Sequence, residues 1–242
     1  MTEKYDLTLK IHRYDPNDKR SWIQKYSIKA EGIQRFVDLF RRINEEQDPS
    51  FSWNSSCEHG QCGTCSIKVN GKPLLACEQL VENAVKTFKT TEFVIEPLGA
   101  ASKVRDLIFD FDEAYEKVNH AKPYVIQPSA LSTNETIHSI TPAQMDLYLN
   151  ATRCINCFCC VSVCFSANGR FLGPNAVMSA VVRLMDPRED SDKERLDIIY
   201  GDQGVERCHS AMSCSHVCPK EIDVAHYIAL AKQGKLSIDT ES

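Results

Sequence analysis

Residues 154–164 read CINCFCCVSVC. The pattern within this stretch is formed by Cys154, Cys157, Cys160 and Cys164. Two residues separate each of the first three cysteines from the next, and three residues precede the fourth. This C-x2-C-x2-C-x3-C spacing is the bacterial run that binds cubane iron–sulfur clusters. The stretch therefore predicts a cluster-binding fold for the second half of the chain.

A second copy of the pattern follows 54 residues later, where residues 208–219 read CHSAMSCSHVCP. Its cysteines are Cys208, Cys214 and Cys218, which correspond in turn to Cys154, Cys160 and Cys164. Cys157 has no cysteine counterpart, because the residue 54 positions after it is Ala211. One of the two expected clusters is therefore one ligand short.

The ligands can be divided between the two clusters by a rule for two-cluster ferredoxins, in which the fourth cysteine of each run binds the other cluster. On that rule a [4Fe–4S] cluster is bound by Cys154, Cys157, Cys160 and Cys218. The second cluster is bound by Cys164, Cys208 and Cys214. A cubane needs one thiolate per iron, so we expect a [3Fe–4S] cluster there. The competing interpretation is a fourth iron bound by water or a nearby side chain. Cys159 is left over and is expected to be a packed free thiol.

The first half of the chain carries a different cysteine pattern. Residues 57–65 read CEHGQCGTC, and a fourth cysteine, Cys77, follows at a distance. This C-x4-C-x2-C spacing with a distant fourth cysteine is the plant-type pattern for a [2Fe–2S] cluster. Gly60 and Gly63 allow positive φ angles, so that several amides can point at one centre. The alternative is a structural zinc site, whose usual signature is two separate C-x2-4-C pairs. His59 is interpreted as solvated, because four cysteines already complete the site.

Hydrophobic periodicity predicts a small α+β domain around this loop. Strands are expected at residues 5–14, 22–28, 66–69, 74–77 and 93–96, and one amphipathic helix at 33–46. Asn70-Gly71 indicates a type I′ hairpin turn. The second half is predicted to be mainly helical, with helices at residues 103–119, 141–150, 174–185, 191–200 and 223–233. We place the domains at residues 1–104 and 105–242.

Apart from its 12 cysteines, the composition is that of an ordinary globular protein. Of the 242 residues, 43% are hydrophobic and 25% are charged. The net charge of -5 gives no reason to expect nucleic acid as a partner. No apolar run reaches the ~18 residues of a membrane span, and no secretory leader is visible. We therefore expect a reducing cytosol, in which clustered cysteines serve as metal ligands or redox centres.

The motifs of common catalytic sites are missing from the sequence. There is no GxGxxG fingerprint, no P-loop, no Ser-His-Asp spacing and no HExxH pair. The chain is therefore expected to catalyse nothing by itself. Three clusters in one chain instead predict that it moves electrons one at a time between a two-electron donor and a two-electron acceptor on other subunits.

In order and spacing, the three cysteine motifs resemble those of the iron–sulfur subunit of succinate dehydrogenase and quinol:fumarate reductase, over nearly the whole chain. The resemblance implies an N-terminal β-grasp ferredoxin domain and a C-terminal all-helical domain like bacterial ferredoxins. It implies a flavoprotein partner with covalent FAD, and a membrane anchor that binds quinone and sometimes haem b. The complex would lie at the cytoplasmic face of the bacterial inner membrane.

The resemblance also implies a role for each motif cysteine. The [2Fe–2S] ligands would be Cys57, Cys62, Cys65 and Cys77. The [4Fe–4S] ligands would be Cys154, Cys157, Cys160 and Cys218, and the [3Fe–4S] ligands would be Cys164, Cys208 and Cys214. Cys65 matches the all-cysteine form of the first motif. His209 matches a histidine near the quinone in several relatives, where it could donate a hydrogen bond or a proton. The other interpretation of His209 is a residue that shapes the field of the cluster.

One segment departs from the family pattern. Ubiquinone-using relatives carry Pro and then Trp after the first cysteine of the three-iron cluster, whereas residues 165–171 here read FSANGRF. This difference favours menaquinone and fumarate reduction.

An alternative function is electron transfer to or from another flavoprotein, such as a thiol:fumarate or glycolate-type oxidoreductase. Such subunits often carry Cys-Cys-Gly, whereas here Val161 follows Cys159-Cys160. A non-redox zinc protein is the third class. Electron direction, haem content and anchor type stay open.

Overall fold

The structure is a computed structural model that describes residues 3–99, 103–126, 140–189 and 191–236. Its contacts divide the chain into two compact units. The first unit comprises Met1–Phe111 and Ile155–Ser162, and the second comprises Asp112–Cys154 and Val163–Ser242. The division into sequence domains 1–104 and 105–242 stays a prediction. The compact units differ from it chiefly because Ile155–Ser162 packs with the first unit.

The first unit is built on a five-stranded mixed sheet. Its strands are β1 (Lys4–Asp15), β2 (Arg20–Glu31), β3 (Ser66–Val69), β4 (Lys72–Leu75) and β5 (Glu92–Pro97). Their order across the sheet is β2-β1-β5-β3-β4, with β1 parallel to β5 and the other pairs antiparallel. All five strands predicted from the sequence are present, although the fourth lies at Lys72–Leu75 instead of 74–77, because the two-residue turn leads directly into Lys72. Asn70 and Gly71 both have positive φ, 48° and 78°, which confirms the predicted turn between β3 and β4.

Two helices accompany the sheet, α1 (Phe36–Glu46) and α2 (Val81–Phe88). The predicted start of the first helix at residue 33 was wrong, because Ile33 is 60% exposed and precedes the helix. The helix begins after Arg35, whose backbone N–H donates to Asp38 Oδ2 at 2.8 Å. Helix α2 was missed, because in its short sequence only Val81 and Ala84 are buried and the helical period is hard to see.

The core of the first unit lies between α1 and the sheet. The α1 residues that it buries are Phe36, Val37, Leu39, Phe40 and Ile43. On the side of the sheet, the core includes the buried β1 residues Leu7, Leu9 and Ile11. Phe36 packs edge-to-face on Phe93 with ring centroids 5.4 Å apart. This aromatic packing fixes the position of the helix and of the loops at its ends.

The predicted helix over residues 103–119 was wrong in its first half. Residues Lys103–Arg105 and Ile108–Phe109 form a small hairpin, β6 and β7, and helix α3 spans only Asp112–His120. Asp106 in the turn has a φ of 48°, which a right-handed helix does not allow. Its buried carboxylate accepts from Arg13 Nε at 2.8 Å and from the Ser52 N–H at 2.9 Å. These contacts from distant residues outweigh the local helical preference.

The second unit is helical, as predicted. Besides α3 it contains α4 (Pro142–Asp146), α6 (Pro174–Leu184), α7 (Asp192–Tyr200) and α9 (Val224–Lys232), together with short turns described below. Helix α4 ends earlier than the predicted residue 150, although Thr141 caps it as expected by accepting from Gln144 N. The Pro-containing loop predicted after α3 lies largely outside the described residues. Among the residues that the structure describes, no helix is both long and apolar enough to cross a membrane.

Candidate iron–sulfur cluster sites

Backbone amides surround the sulfurs of the first cysteine loop. Cys57 Sγ accepts hydrogen bonds from the N–H groups of Gln61 at 3.2 Å and Cys62 at 3.3 Å. Cys77 Sγ accepts one from Gly60 N at 3.2 Å. Gly60 and Gly63 both have φ of +73°, as expected for a loop that turns its amides toward one centre. Hydrogen bonds from amides to the sulfurs tune the reduction potential of an iron–sulfur cluster.

The four cysteines predicted for the first cluster come together. The backbone N–H of His59 lowers the pKa of Cys57 to about 6 against the opposing effect of burial, and further hydrogen bonds, one from the Cys62 side chain, act in the same direction. Burial, together with the neighbouring thiols of Cys77 and Cys62, raises the pKa of Cys65 to about 12. The thiol groups therefore lie within electrostatic reach of one another. The thiolate-rich donor set fits a [2Fe–2S] cluster.

Arginines of the first helix and its N-terminal turn hold the loop from outside. Arg35 Nη1 donates to the Glu58 carbonyl at 2.8 Å, and Arg41 Nη2 contacts Glu58 Oε1 at 2.5 Å. Glu58 itself has a φ of 57°. Reasoning from the sequence missed these contacts, because Arg35 and Arg41 lie outside the cysteine motif. His59 is exposed, as expected, and its ring contacts the Cys57 carbonyl rather than a sulfur.

The two later cysteine runs repeat in structure as well as in sequence. A 3-10 turn at Ala151–Arg153 recurs at Val205–Arg207, and helix α5 (Cys159–Ser162) recurs as α8 (Ser213–His216). Each pair is related by the same 54-residue offset as the cysteines. The N–H of Cys154 donates to the Ala151 carbonyl at 3.1 Å, and the matching bond from Cys208 to Val205 is 3.0 Å long. The two runs are therefore copies of one local fold.

The backbone around Cys157 and Ala211 shows the same repetition. Asn156 and Phe158 flank Cys157 with φ angles of 49° and 59°. Ser210 and Met212 flank Ala211 with φ angles of 56° and 59°. Left-handed backbone is uncommon for residues other than glycine, so its recurrence at both pairs marks a shared loop conformation. The position of the missing cysteine is thus preserved, and only its side chain has changed.

The predicted [4Fe–4S] ligands differ in burial. Cys157 and Cys160 belong to the first unit, and each is 8% exposed. Cys154 and Cys218 belong to the second unit and are half-buried. Cys154 ends the turn at Ala151–Arg153, and Cys218 follows α8. The spare residue Cys159 is fully buried, as predicted for a packed thiol.

The three cysteines predicted for the last cluster line one cavity of the second unit, with a volume of about 300 Å³. Ala211 lines the same cavity. Burial raises the pKa of Cys214, and the neighbouring sulfurs of Cys208 and Cys164 contribute in the same direction. The Ser210 N–H also points at Cys208 Sγ, at 3.4 Å. Three sulfurs and one small apolar side chain around a cavity fit a cluster with three protein ligands.

His209 and Phe165 extend the lining of this cavity. Their ring centroids lie 5.0 Å apart at an interplanar angle of 33°. Phe165 is 64% exposed, and His209 is exposed as well. Lys232 Nζ donates to the Cys208 carbonyl and lies 3.2 Å from Ser210 Oγ. The ring pair and Lys232 were not foreseen from the sequence, because they depend on α9 and the loop after Cys164 folding onto the second cysteine run.

Within the described part of the chain, no group of three or more His, Cys, Asp or Glu side chains is arranged to hold a single metal ion.

Two domain families match the chain. The 2Fe-2S iron-sulfur cluster binding domain matches residues 8–116. The 4Fe-4S dicluster domain matches residues 150–222. The first match contains the loop at Cys57, and the second contains both copies of the repeated run. The two families therefore occur in the order in which the cysteine motifs predicted the clusters.

Similar proteins match along nearly their whole length. The fumarate reductase iron-sulfur subunit of Haemophilus influenzae is 31% identical, with 95% of this chain and 92% of that protein covered. The succinate dehydrogenase iron-sulfur subunit of Coxiella burnetii is 29% identical, with 98% and 99% covered. Among solved structures, a chain of the Mycobacterium smegmatis Sdh1 complex in the apo form matches with a TM-score of 0.84 at 24% identity, and 99% of each chain is covered. The last match shows a common fold.

Proposed function

The chain belongs to the family of succinate dehydrogenase and fumarate reductase iron–sulfur subunits, and on that premise we propose that it connects the FAD of a flavoprotein subunit to a quinone at a membrane anchor. It is an electron-transfer subunit of an oxidoreductase complex, with a 2Fe-2S domain followed by a 4Fe-4S domain. The proposal adds a [3Fe–4S] cluster as the last of three one-electron carriers.

The observation that carries the three-iron assignment is the position of Ala211. It occupies the place of Cys157 in the repeated loop and lines a cavity with three cysteines. With no thiolate at that place, a fourth iron would lack its protein ligand. The [3Fe–4S] cluster is assigned to Cys164, Cys208 and Cys214.

The remaining cysteines are assigned to the other two clusters in our proposal. The [2Fe–2S] cluster is held by Cys57, Cys62, Cys65 and Cys77, and the [4Fe–4S] cluster by Cys154, Cys157, Cys160 and Cys218. When bound, the clusters supply reversible one-electron oxidation and reduction. The chain contributes the rest: amide hydrogen bonds at the sulfurs, burial, and fixed positions for the ligand loops.

The quinone is proposed to approach the chain at His209 and Phe165. His209 lies beside the candidate ligand Cys208 and lines the same cavity. Its exposed imidazole can donate a hydrogen bond or a proton to a reduced quinone. The segment after Cys164 has Phe165 and no Trp where ubiquinone-using relatives carry Pro and then Trp, which favours menaquinone and fumarate reduction. In the other interpretation, His209 acts only on the field of the cluster. The two interpretations differ in the effect of His209→Ala on the reactions with quinone and with a soluble dye.

The proposed partners follow from this route of electrons. One is a flavoprotein with FAD, and the other is a membrane anchor that binds quinone, with or without haem b. The anchor would hold the chain peripherally at the cytoplasmic face of the inner membrane.

The function is tested on the native complex, purified from membranes through a tag on this chain. We expect a flavoprotein and an anchor to co-purify, with menaquinone in the lipid extract and with about nine irons per chain. The complex should reduce fumarate with a menaquinol analogue faster than it reduces a quinone with succinate. Zinc in place of iron, or a flavoprotein inert toward both succinate and fumarate, would contradict the proposal. The second outcome would favour a glycolate-type partner if glycolate were oxidised, whereas fumarate reduction driven by thiols and not by quinol would favour a thiol:fumarate partner.

A further inference from the structure

The loop that carries Cys62 and Cys65 touches the segment that carries Cys157, and both belong to the first unit. The contact is made at Gly63. A Cβ atom added to Gly63 would lie 2.9 Å from Cys157 Cα, 3.0 Å from Cys157 Cβ and 3.1 Å from the Ile155 carbonyl oxygen. Two of these neighbours are backbone atoms, which cannot swing aside as the end of a side chain can. Glycine is therefore the residue that permits this approach.

Two further side chains close the contact. Ser66 Oγ donates to the Gly63 carbonyl at 2.7 Å, and the Ser66 N–H reaches the same oxygen at 3.3 Å. The fully buried thiol of Cys159 lies within hydrogen-bonding reach of the side chains of Cys157 and Ser66. A continuous set of contacts thus joins a loop of the first candidate cluster to a ligand of the second. We call these four residues, Gly63, Ser66, Cys157 and Cys159, the seam.

The internal repeat provides a comparison for Cys159. Its counterpart 54 residues later is Ser213, which is half-buried rather than fully buried. The local fold of the repeat therefore does not itself require a cysteine at this position. The buried thiol belongs to the copy that packs against the first cysteine loop. This difference connects Cys159 to the seam rather than to the folding of its own helix.

We propose that Gly63 and Cys159 are positioning residues for electron transfer between the first and second clusters. Gly63 lets the two ligand loops meet at backbone distance, and Cys159 fills the space beside them and excludes water. The step that they serve passes one electron from one cluster to the next. No bond forms or breaks in it, and no proton is transferred. This inference rests on the proposed function, because it requires both clusters to be present.

The test uses the full-length, cluster-loaded protein and the variant Gly63→Ala. Gly71→Ala is the matched control: Gly71 also has a left-handed backbone, with φ of +78°, but no atom lies within 4 Å of an added Cβ. The measurement is the microwave power needed to half-saturate the EPR signal of the reduced [2Fe–2S] cluster while the second cluster is also reduced. This power reports the magnetic coupling of the two centres and falls as they separate. Iron and sulfide contents are measured on every sample.

We expect Gly63→Ala to lower the half-saturation power several-fold at unchanged iron and sulfide content, and Gly71→Ala to match the wild type. The rate at which the second cluster is reduced through the first should fall in parallel. A loaded Gly63→Ala protein with wild-type saturation would overturn the proposal. If Gly63→Ala does not load, Cys159→Ala decides: lower half-saturation power supports the seam, and wild-type power overturns it.

Cys159→Ser tests the chemistry of the position, because a hydroxyl can make the same polar contacts in a similar volume. We expect it to restore most of the coupling lost in Cys159→Ala, and coupling as weak as that of Cys159→Ala would overturn the role of Cys159. A wild-type protein without a [2Fe–2S] signal would contradict the proposed function itself. A wild-type protein with that signal and unaffected variants would contradict the seam alone.

Discussion

Cys157 and Ala211 occupy the same position in two copies of one loop, each between a pair of residues with left-handed backbone. The copies differ in exposure, since Cys157 is 8% exposed and Ala211 is exposed at a cavity. The backbone that would present a fourth sulfur to the last cluster is therefore intact. A single side chain separates the proposed three-ligand site from a four-ligand site.

Ala211→Cys should convert the last cluster from three irons to four. The new thiol starts from the backbone position that presents Cys157, so it can ligate a fourth iron without rearrangement of the loop. We expect the iron content to rise by one per chain and the EPR signal of the oxidised three-iron cluster to be lost. Ala211→Val is the control, because it adds bulk without a thiolate. A cysteine variant that keeps the three-iron signal would show that the loop cannot place the new sulfur.

His209→Ala should impair the reaction with quinone more than the reaction with a soluble dye. Loss of a hydrogen bond to a charged or reduced quinone is worth about 1.5–3 kcal/mol, which is roughly a 10- to 100-fold fall in the quinone rate. Dye-linked succinate oxidation should change little. The exposed His216, outside the cavity lining, serves as the control in His216→Ala. Equal losses in both assays would favour the interpretation in which His209 acts on the cluster.

Asp48→Asn should make the stability of the protein less sensitive to acid. Burial opposes ionisation of Asp48, but hydrogen bonds from Ser50, Tyr26 and Arg13 outweigh it and keep the pKa of this carboxyl below its usual range. Because the pKa is lower in the folded state, the carboxylate stabilises the fold above the unfolded value of about 3.9. This contribution is lost as the pH falls through the folded pKa.

The experiment for Asp48 is urea unfolding from neutral pH down to about pH 2, because the contribution of a lowered pKa is lost only below the unfolded value of about 3.9. We expect Asp48→Asn to lose about 1–3 kcal/mol of unfolding free energy near neutral pH, as for a hydrogen-bonded charge. The variant should then lose less additional stability than the wild type toward acid. Asp18→Asn, at an exposed turn, should follow the wild-type curve. A variant curve parallel to that of the wild type would show that Asp48 has the same pKa in both states.

Arg195→Ala should strongly destabilise the second unit. The guanidinium is fully buried and donates to the Ala121 carbonyl at 2.9 Å and to Glu189 Oε2 at 3.2 Å. It also donates to the carbonyls of Lys122 and Tyr124. Its removal leaves a buried carboxylate without its cation, which costs about 3–5 kcal/mol. Urea unfolding measures the loss. Arg170→Ala, at a side chain that is 73% exposed, should stay within about 0.5 kcal/mol of the wild type in unfolding free energy. An equally small change in Arg195→Ala would contradict the stabilising role of Arg195.

Features determined by local chemistry could be predicted from the sequence. The cysteine spacings identified the three cysteines that line the cavity of the second unit. Asn70-Gly71 identified the hairpin between β3 and β4. The 54-residue repeat predicted two equivalent loops, because copied sequence adopts the same local backbone. The left-handed conformations of Phe158 and Met212 could not be foreseen, since neither residue type prefers them and the cluster loop imposes them.

Features determined by contacts between distant residues were missed. The hairpin at Lys103–Arg105 and Ile108–Phe109 depends on Asp106, whose partners Arg13 and Ser52 are remote in sequence. Residues 103–109 alone do not reveal these partners. The seam was missed for the same reason, because Cys159 looks like a surplus cysteine until Gly63 and Ser66 are brought beside it.

EPR of the air-oxidised, full-length protein decides whether the last of the three proposed clusters has three irons. A [3Fe–4S] cluster is paramagnetic when oxidised, whereas ordinary [2Fe–2S] and [4Fe–4S] clusters are silent in that state. We expect a three-iron signal that integrates to one spin per chain and disappears in Ala211→Cys. A silent spectrum from protein with full iron and sulfide content would contradict it.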